Sequence, residues 1–148
     1  MQRKIFPGIV QAQNVATVNA DQTALEAAKL MADKHIAAVV VNDADGKLIG
    51  IITERDITQR VVAAGKDAAA TRVGDVMTSN PDTLAPDDRA GDALELMQTR
   101  NYRHLPVIDG GKCVAVVSIR DLFAAVKASL EESIRETEAF VFGDRYGG

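Results

Sequence analysis

One short stretch of this chain occurs twice and constrains the fold more than anything else. Gly50-Ile51-Ile52-Thr53-Glu54-Arg55-Asp56 returns as Ala115-Val116-Val117-Ser118-Ile119-Arg120-Asp121. Each copy is a run of branched apolar residues ending in a hydroxyl, with an Arg two positions on and an Asp three positions on. Such a run predicts a strand buried on both faces that turns directly into a helix. The surroundings repeat too. Thr17, Leu30, Met31, Val39 and Val41 fall on Thr83, Leu96, Met97, Leu105 and Val107 at a shift of 66. After the turns at Asp43 and Asp109 the shift becomes 65, because Asp109-Gly110-Gly111-Lys112 is one residue shorter. A single gap in a tight turn is what a tandem duplication leaves. Each unit reads β-α-β-β-α and is marginal alone. The expected fold is therefore α/β (α+β), two units packed sheet to sheet about a pseudo-twofold axis.

In chain order, residues 1–14 read as a lead-in, 15–64 as the first repeat, 65–75 as a polar, Ala-rich linker, 76–127 as the second repeat and 128–148 as an extension. In the first repeat, Val15 to Val18 predicts a strand, Asp21 a helix cap, and Leu25, Ala28, Leu30 and Met31 a helix ending near Lys34. Gly65 stops the repeat's second helix. In the second repeat nothing stops it. Leu122, Val126, Leu130 and Ile134 continue at a spacing of four, predicting an amphipathic helix to about Glu138. An aromatic tail then follows, Phe140-Val141-Phe142-Gly143-Asp144-Arg145-Tyr146-Gly147-Gly148. Its three aromatics can pack back on the same subunit, form a dimer contact or reach a ligand pocket.

Charge and cysteine content exclude several classes. The net charge of −4 gives no basic field for nucleic acid. Cys113 is alone, so no internal disulfide or cysteine cluster forms, and it reads as core filler. No His, Cys or carboxylate spacing suggests a metal site. No apolar segment reaches signal or membrane-span length, so the expectation is a cytoplasmic protein with no membrane contact. His35 reads as a helix-end residue, and Lys47 and Lys112 as solvated turn lysines. No Ser-His-acid set is present, so the chain is not read as an enzyme.

The repeated hydroxyl, Arg and Asp have two readings. Ser or Thr followed three residues later by an acid is a capping box. The same helix start also attracts phosphate through its free N–H groups and dipole. There a hydroxyl can donate to a phosphate, an Arg can hold it with a bidentate fork, and a carboxylate can accept from both ribose hydroxyls.

The ordered set resembles a tandem pair of CBS domains, often called a Bateman module. It is carried by the two stretches above with Val114, by Arg103-His104-Leu105-Pro106-Val107, and by Asp75-Val76-Met77-Thr78 leading to Pro81-Asp82-Thr83. The resemblance covers roughly Val10 to Lys127 and implies a regulatory sensor that binds an adenosine ligand in its clefts. AMP is the first choice, with ADP, ATP, NAD(H) or S-adenosylmethionine as others, and no metal cofactor. It implies a homodimer acting on an unidentified regulated protein. By the family pattern Asp56 and Asp121 each take a ribose, and Thr53 and Ser118 sit beside ribose and phosphate. Arg55, Arg120, Arg103 and His104 contact phosphate. Thr17 and Thr83, with the strand backbone near Ala37, Ala38 and Pro106, frame the adenine. The sites are unequal: the second repeat has Arg103 and His104 where the first has Ala37 and Ala38, while Gly50 becomes Ala115 and narrows a close backbone approach. The site on Ser118 and Asp121 is the expected working one. The competing expectation is a structural dimerisation module without a ligand.

Overall fold

The duplication governs the architecture down to single hydrogen bonds. The computed structural model describes residues 3–146, so Met1, Gln2 and the final two glycines of the tail lie outside the described residues. The elements are β1 (Thr17–Val18), α1 (Ala24–Lys34), β2 (Ala38–Asn42), β3 (Leu48–Thr53), α2 (Glu54–Asp56, continuing through wider turns over Ile57–Val62), α3 (Val73–Val76), β4 (Thr78–Ser79), α4 (Ala90–Arg100), β5 (His104–Asp109), β6 (Lys112–Ser118) and α5 (Ile119–Tyr146).

Matched residues do matched work. α1 buries Ala24, Ala27 and Met31, and α4 buries Ala90, Ala93 and Met97. The paired alanines let each helix lie close on its sheet, and the methionine fills the gap that remains. α1 ends at His35 with φ +54°, and α4 at Asn101 with φ +58°. Both are left-handed C-caps that free the chain to turn into the next strand. The N-cap of α1 is Thr23, whose Oγ1 accepts from the Glu26 N–H at 3.1 Å. The predicted cap, Asp21, is displaced because Asn19 Oδ1 takes the N–H groups of Asp21 and Gln22 and winds an Asx turn first.

The first sheet runs β1-β2-β3-β4, with β1 parallel to β2 and the other pairs antiparallel. The second has the β5-β6 hairpin, turned at Gly110 and Gly111 with φ +59° and +80°. Ala38 lies opposite Thr53 in one, and His104 opposite Ser118 in the other. The strand predicted at Thr83 reduces to one parallel bridge, Leu84 to Val107, the counterpart of Val18 to Val41.

The lead-in and the linker are structural parts of the duplication. The Asn80 N–H donates to the Ile49 carbonyl, and the Gln13 N–H to the Val114 carbonyl, each at 3.0 Å. The Ala24 and Ala90 N–H groups donate to the Thr71 and Arg3 carbonyls at 2.8 and 2.9 Å. The segment before each repeat therefore completes the other half: Val73 and Val76 are buried in the first core, and Ile5 and Val10 in the second. Fully burying such a side chain stabilises the fold by about 1.5–3 kcal/mol. On the other face of the first sheet Ala38, Val40 and Ile51 are buried too, as the continuous apolar runs predict.

α5 does not give way to a separate tail: it continues as one helix to Tyr146. Every residue from Glu131 to Phe142 is exposed, including Ile134, Phe140 and Val141. No described helix is long and apolar enough to cross a membrane.

Candidate functional site

Two clefts lie beside the starts of α2 and α5. Both helices open with a closed capping box. Asp56 Oδ2 accepts from the Thr53 N–H at 2.9 Å and Oγ1 at 3.1 Å, while Thr53 Oγ1 accepts from the Asp56 N–H at 3.3 Å. Asp121 Oδ2 accepts from the Ser118 N–H at 2.8 Å and Oγ at 3.0 Å, and Ser118 Oγ accepts from the Asp121 N–H at 3.1 Å. Each box fixes one carboxylate oxygen and leaves Oδ1 for other work.

The clefts are built crosswise. The larger, about 1180 Å³, is lined by Ser118, Arg120 and Asp121 from the second repeat and by Ala16, Ala37 and Ala38 from the first, with Gln13 and Asn14 at its edge. The smaller, about 250 Å³, is lined by Thr53, Arg55 and Asp56 from the first repeat and by Tyr102, Arg103, His104 and Leu105 from the second. Pockets that take small molecules run about 300–1,000 Å³, so the larger has room for a nucleotide and the smaller lies just under that range. Arg103 and His104 do not belong to the Asp121 side alone, as the comparison of repeats had suggested: they line both clefts. Glu54 also lines both.

Three of the sequence-derived residues lie outside the clefts. Thr17 is exposed on β1, and its neighbour Ala16 lines the larger cleft instead. Thr83 is likewise exposed while Pro81 and Asp82 line the smaller cleft. In both places the alternation of an extended chain puts the adjacent residue on the cleft side. Pro106 is buried and lines neither cleft; its carbonyl accepts from the Leu84 N–H at 2.8 Å. Sequence reasoning missed Arg60. Its Nε lies 3.7 Å from Asp56 Oδ1, and Nη1 donates to the Val76 and Met77 carbonyls at 3.2 and 3.1 Å. An Arg one turn beyond the repeated Asp was the available signal, since the second repeat has Ala125 there.

Gly50 faces away from any ligand approach. A Cβ there would collide with Met77 Sδ and stand 3.0 Å from the Thr78 carbonyl, so the glycine admits the Met77 side chain and β4.

Electrostatics further separate the clefts. Arg55 Nη1 donates to the Asn101 carbonyl at 3.3 Å, so both cations of the smaller cleft's own repeat are committed. Among the described residues Arg103 and Arg120 make no side-chain hydrogen bond or ion pair. Burial holds the His104 imidazole below its ordinary pKa; Glu54 and Asp121 oppose that shift and Arg103 adds to it. Burial pushes the Cys113 thiol up, an inert setting away from both clefts. Among the described residues no group of three or more His, Cys, Asp or Glu could hold a metal ion.

The family model described as CBS domain matches residues 10–63 and 73–128. CBS domain-containing protein CBSCBSPB2 of Arabidopsis thaliana is 33% identical over 123 residues, 83% of this chain. The chain spans 23% of that relative's length and similarly small shares of others. A protein with CBS domains from Burkholderia ambifaria superposes with TM-score 0.75 at 38% identity, covering 79% of this chain and 85% of that one. A CBS domain protein from Pyrobaculum aerophilum complexed with AMP superposes with TM-score 0.68 at 28% identity, covering 74% and 83%.

Proposed function

This chain belongs to the CBS-domain family, a family of regulatory modules, and we propose that it binds an adenosine-containing nucleotide and passes the bound state to a partner protein. AMP is the first candidate; a related protein is complexed with it. The observation that carries the reading is the geometry at Asp121. Its Oδ2 is fixed by the cap, the residue lines a cleft of nucleotide size, and the unpaired Arg120 and Arg103 line the same cleft. The carboxylate accepts from the ribose hydroxyls, the Arg120 and Arg103 guanidiniums hold the phosphate, and the Ala37–Ala38 end takes the adenine. No residue is assigned a catalytic role. The cytoplasmic setting rests on the sequence reading alone.

Regulation follows by linkage. A ligand gripping both repeats shifts the protein only by its differential affinity for two arrangements of the halves. α5 is the readout element: it starts at the ligand-facing cap and ends in an exposed amphipathic stretch. The same stretch supports homodimerisation, and it favours the second reading, a structural dimer without a ligand, if no nucleotide binds.

Thermal melting against AMP, ADP, ATP, NAD, NADH and S-adenosylmethionine tests the proposal, with Asp121→Ala and Asp56→Ala alongside. A ligand at a hundred times its Kd adds about 2.7 kcal/mol. The expected result is a shift with one of them that Asp121→Ala removes. No shift with any, in protein freed of carried-over nucleotide, leaves the structural dimer.

A further inference from the structure

Between the two clefts, each matched pair of positions carries charge on one member only. Two equivalent hydrogen bonds tie the repeats' strand starts to their own helix starts: the Glu54 N–H donates to the Ala37 carbonyl at 2.9 Å, and the Ile119 N–H to the Arg103 carbonyl at 2.8 Å. The duplication thus provides matched positions, Ala37 with Arg103, Ala38 with His104, and Ile119 with Glu54. In each pair one member is apolar and the other ionisable, and Glu54, Arg103 and His104 all border both clefts. A symmetric pair would give each cleft its own guanidinium. Here Arg103 is shared by both clefts, the larger having the uncommitted Arg120 as well, and Glu54 disfavours any anion that Arg103 does not back.

We infer that the clefts are coupled through Arg103, so that a phosphate held in one withdraws the guanidinium from the other and phosphate-bearing ligands bind the second cleft more weakly. The inference rests on the nucleotide reading above. A guanidinium presents one bidentate fork at a time, and turning it to one phosphate removes the best donors from the other. The smaller cleft depends on it more, since Arg55 and Arg60 are already bonded to backbone carbonyls. The coupling is nonetheless reciprocal. It is specific to the phosphate: adenosine, which lacks one, leaves Arg103 where it is.

Titration calorimetry with AMP and with adenosine tests this. Ala37→Trp fills the adenine end of the larger cleft without touching either cap, and Asp121→Asn, which keeps a capping oxygen, serves as a second block. The expected result is that the smaller cleft binds AMP about 5-fold or more tightly in the blocked proteins than in wild type. Adenosine shows no such gain, and Arg103→Ala in either background removes it. Equal AMP affinity of the smaller cleft in blocked and wild-type protein overturns the coupling, as does a blocked protein that binds no AMP. Failure of the nucleotide reading looks different: neither AMP nor adenosine binds any of the proteins.

Discussion

The two capping boxes are nearly superimposable in their bonding, yet what stands one turn further differs. Beyond Asp56 stands Arg60, 3.7 Å from the second carboxylate oxygen and bonded to the backbone before β4. Beyond Asp121 stands Ala125, buried in place of a cation. Arg60 lines the cleft at Asp56, of about 250 Å³, while the cleft at Asp121 has about 1180 Å³. Duplication copied the helix-starting device, and a single substitution one turn away separates a cap that completes the fold from a cap that also offers an acceptor. A repeated motif therefore does not imply two equal sites.

The largest test of that difference is ligand affinity. Asp121→Ala lowers AMP affinity about 100-fold, the loss of two charge-assisted hydrogen bonds to ribose. Asp56→Ala lowers it much less, because its free oxygen already faces Arg60. Calorimetry on both variants reads the ratio, and equal losses break the comparison.

Next is packing at Gly50 and Ala115. Gly50→Ala drives a methyl into Met77 and the Thr78 carbonyl and destabilises the fold by about 1–3 kcal/mol. Ala115→Gly, at a fully buried position, costs about 1 kcal/mol through backbone entropy and lost packing. Urea denaturation midpoints give both. A smaller cost for Gly50→Ala than for Ala115→Gly refutes the assignment of Gly50 to Met77 packing.

The caps themselves come next. Thr53→Ala and Ser118→Ala each cost about 1 kcal/mol, and the near-identical bonding predicts equal losses within about 0.5 kcal/mol. The smallest effect is the pH dependence of His104. Its folded pKa lies below the unfolded 6.5, so the unfolded chain binds more protons between those values and stability rises with pH there. Full stability is present above 6.5 and is lost as pH falls through the folded value. His104→Ala, which restores the residue found at position 38, flattens that part of the curve in denaturant titrations at stepped pH.

Much of this was legible in the sequence. The shift of 66 becoming 65 identifies the matched core residues within the two repeats, and the hydroxyl-to-Asp spacing identifies both caps. Which cleft each residue serves was not legible, because repeat alignment pairs Ala37 with Arg103 without saying that Ala37 lines the cleft of Asp121 while Arg103 lines both. Thr17 and Thr83 fell one residue from the lining, since in a strand as short as β1 a slip of one position exchanges faces. The lead-in hid its kinship with the linker behind two extra residues: Arg3 matches Thr71 at a shift of 68, and Ile5–Ile9 bulges where α3 does not. Phe140 to Tyr146 read as a tail because aromatics and Gly143 are weak helix formers, yet a helix already running needs only propagation, which even a glycine permits.

A crystal structure of the protein saturated with AMP tests the central claim most directly. The expected structure has nucleotide in the larger cleft, with ribose on Asp121, adenine at Ala37 and Ala38, and phosphate toward Arg120 and Arg103. Nucleotide against Asp56 alone, or in neither cleft, contradicts it.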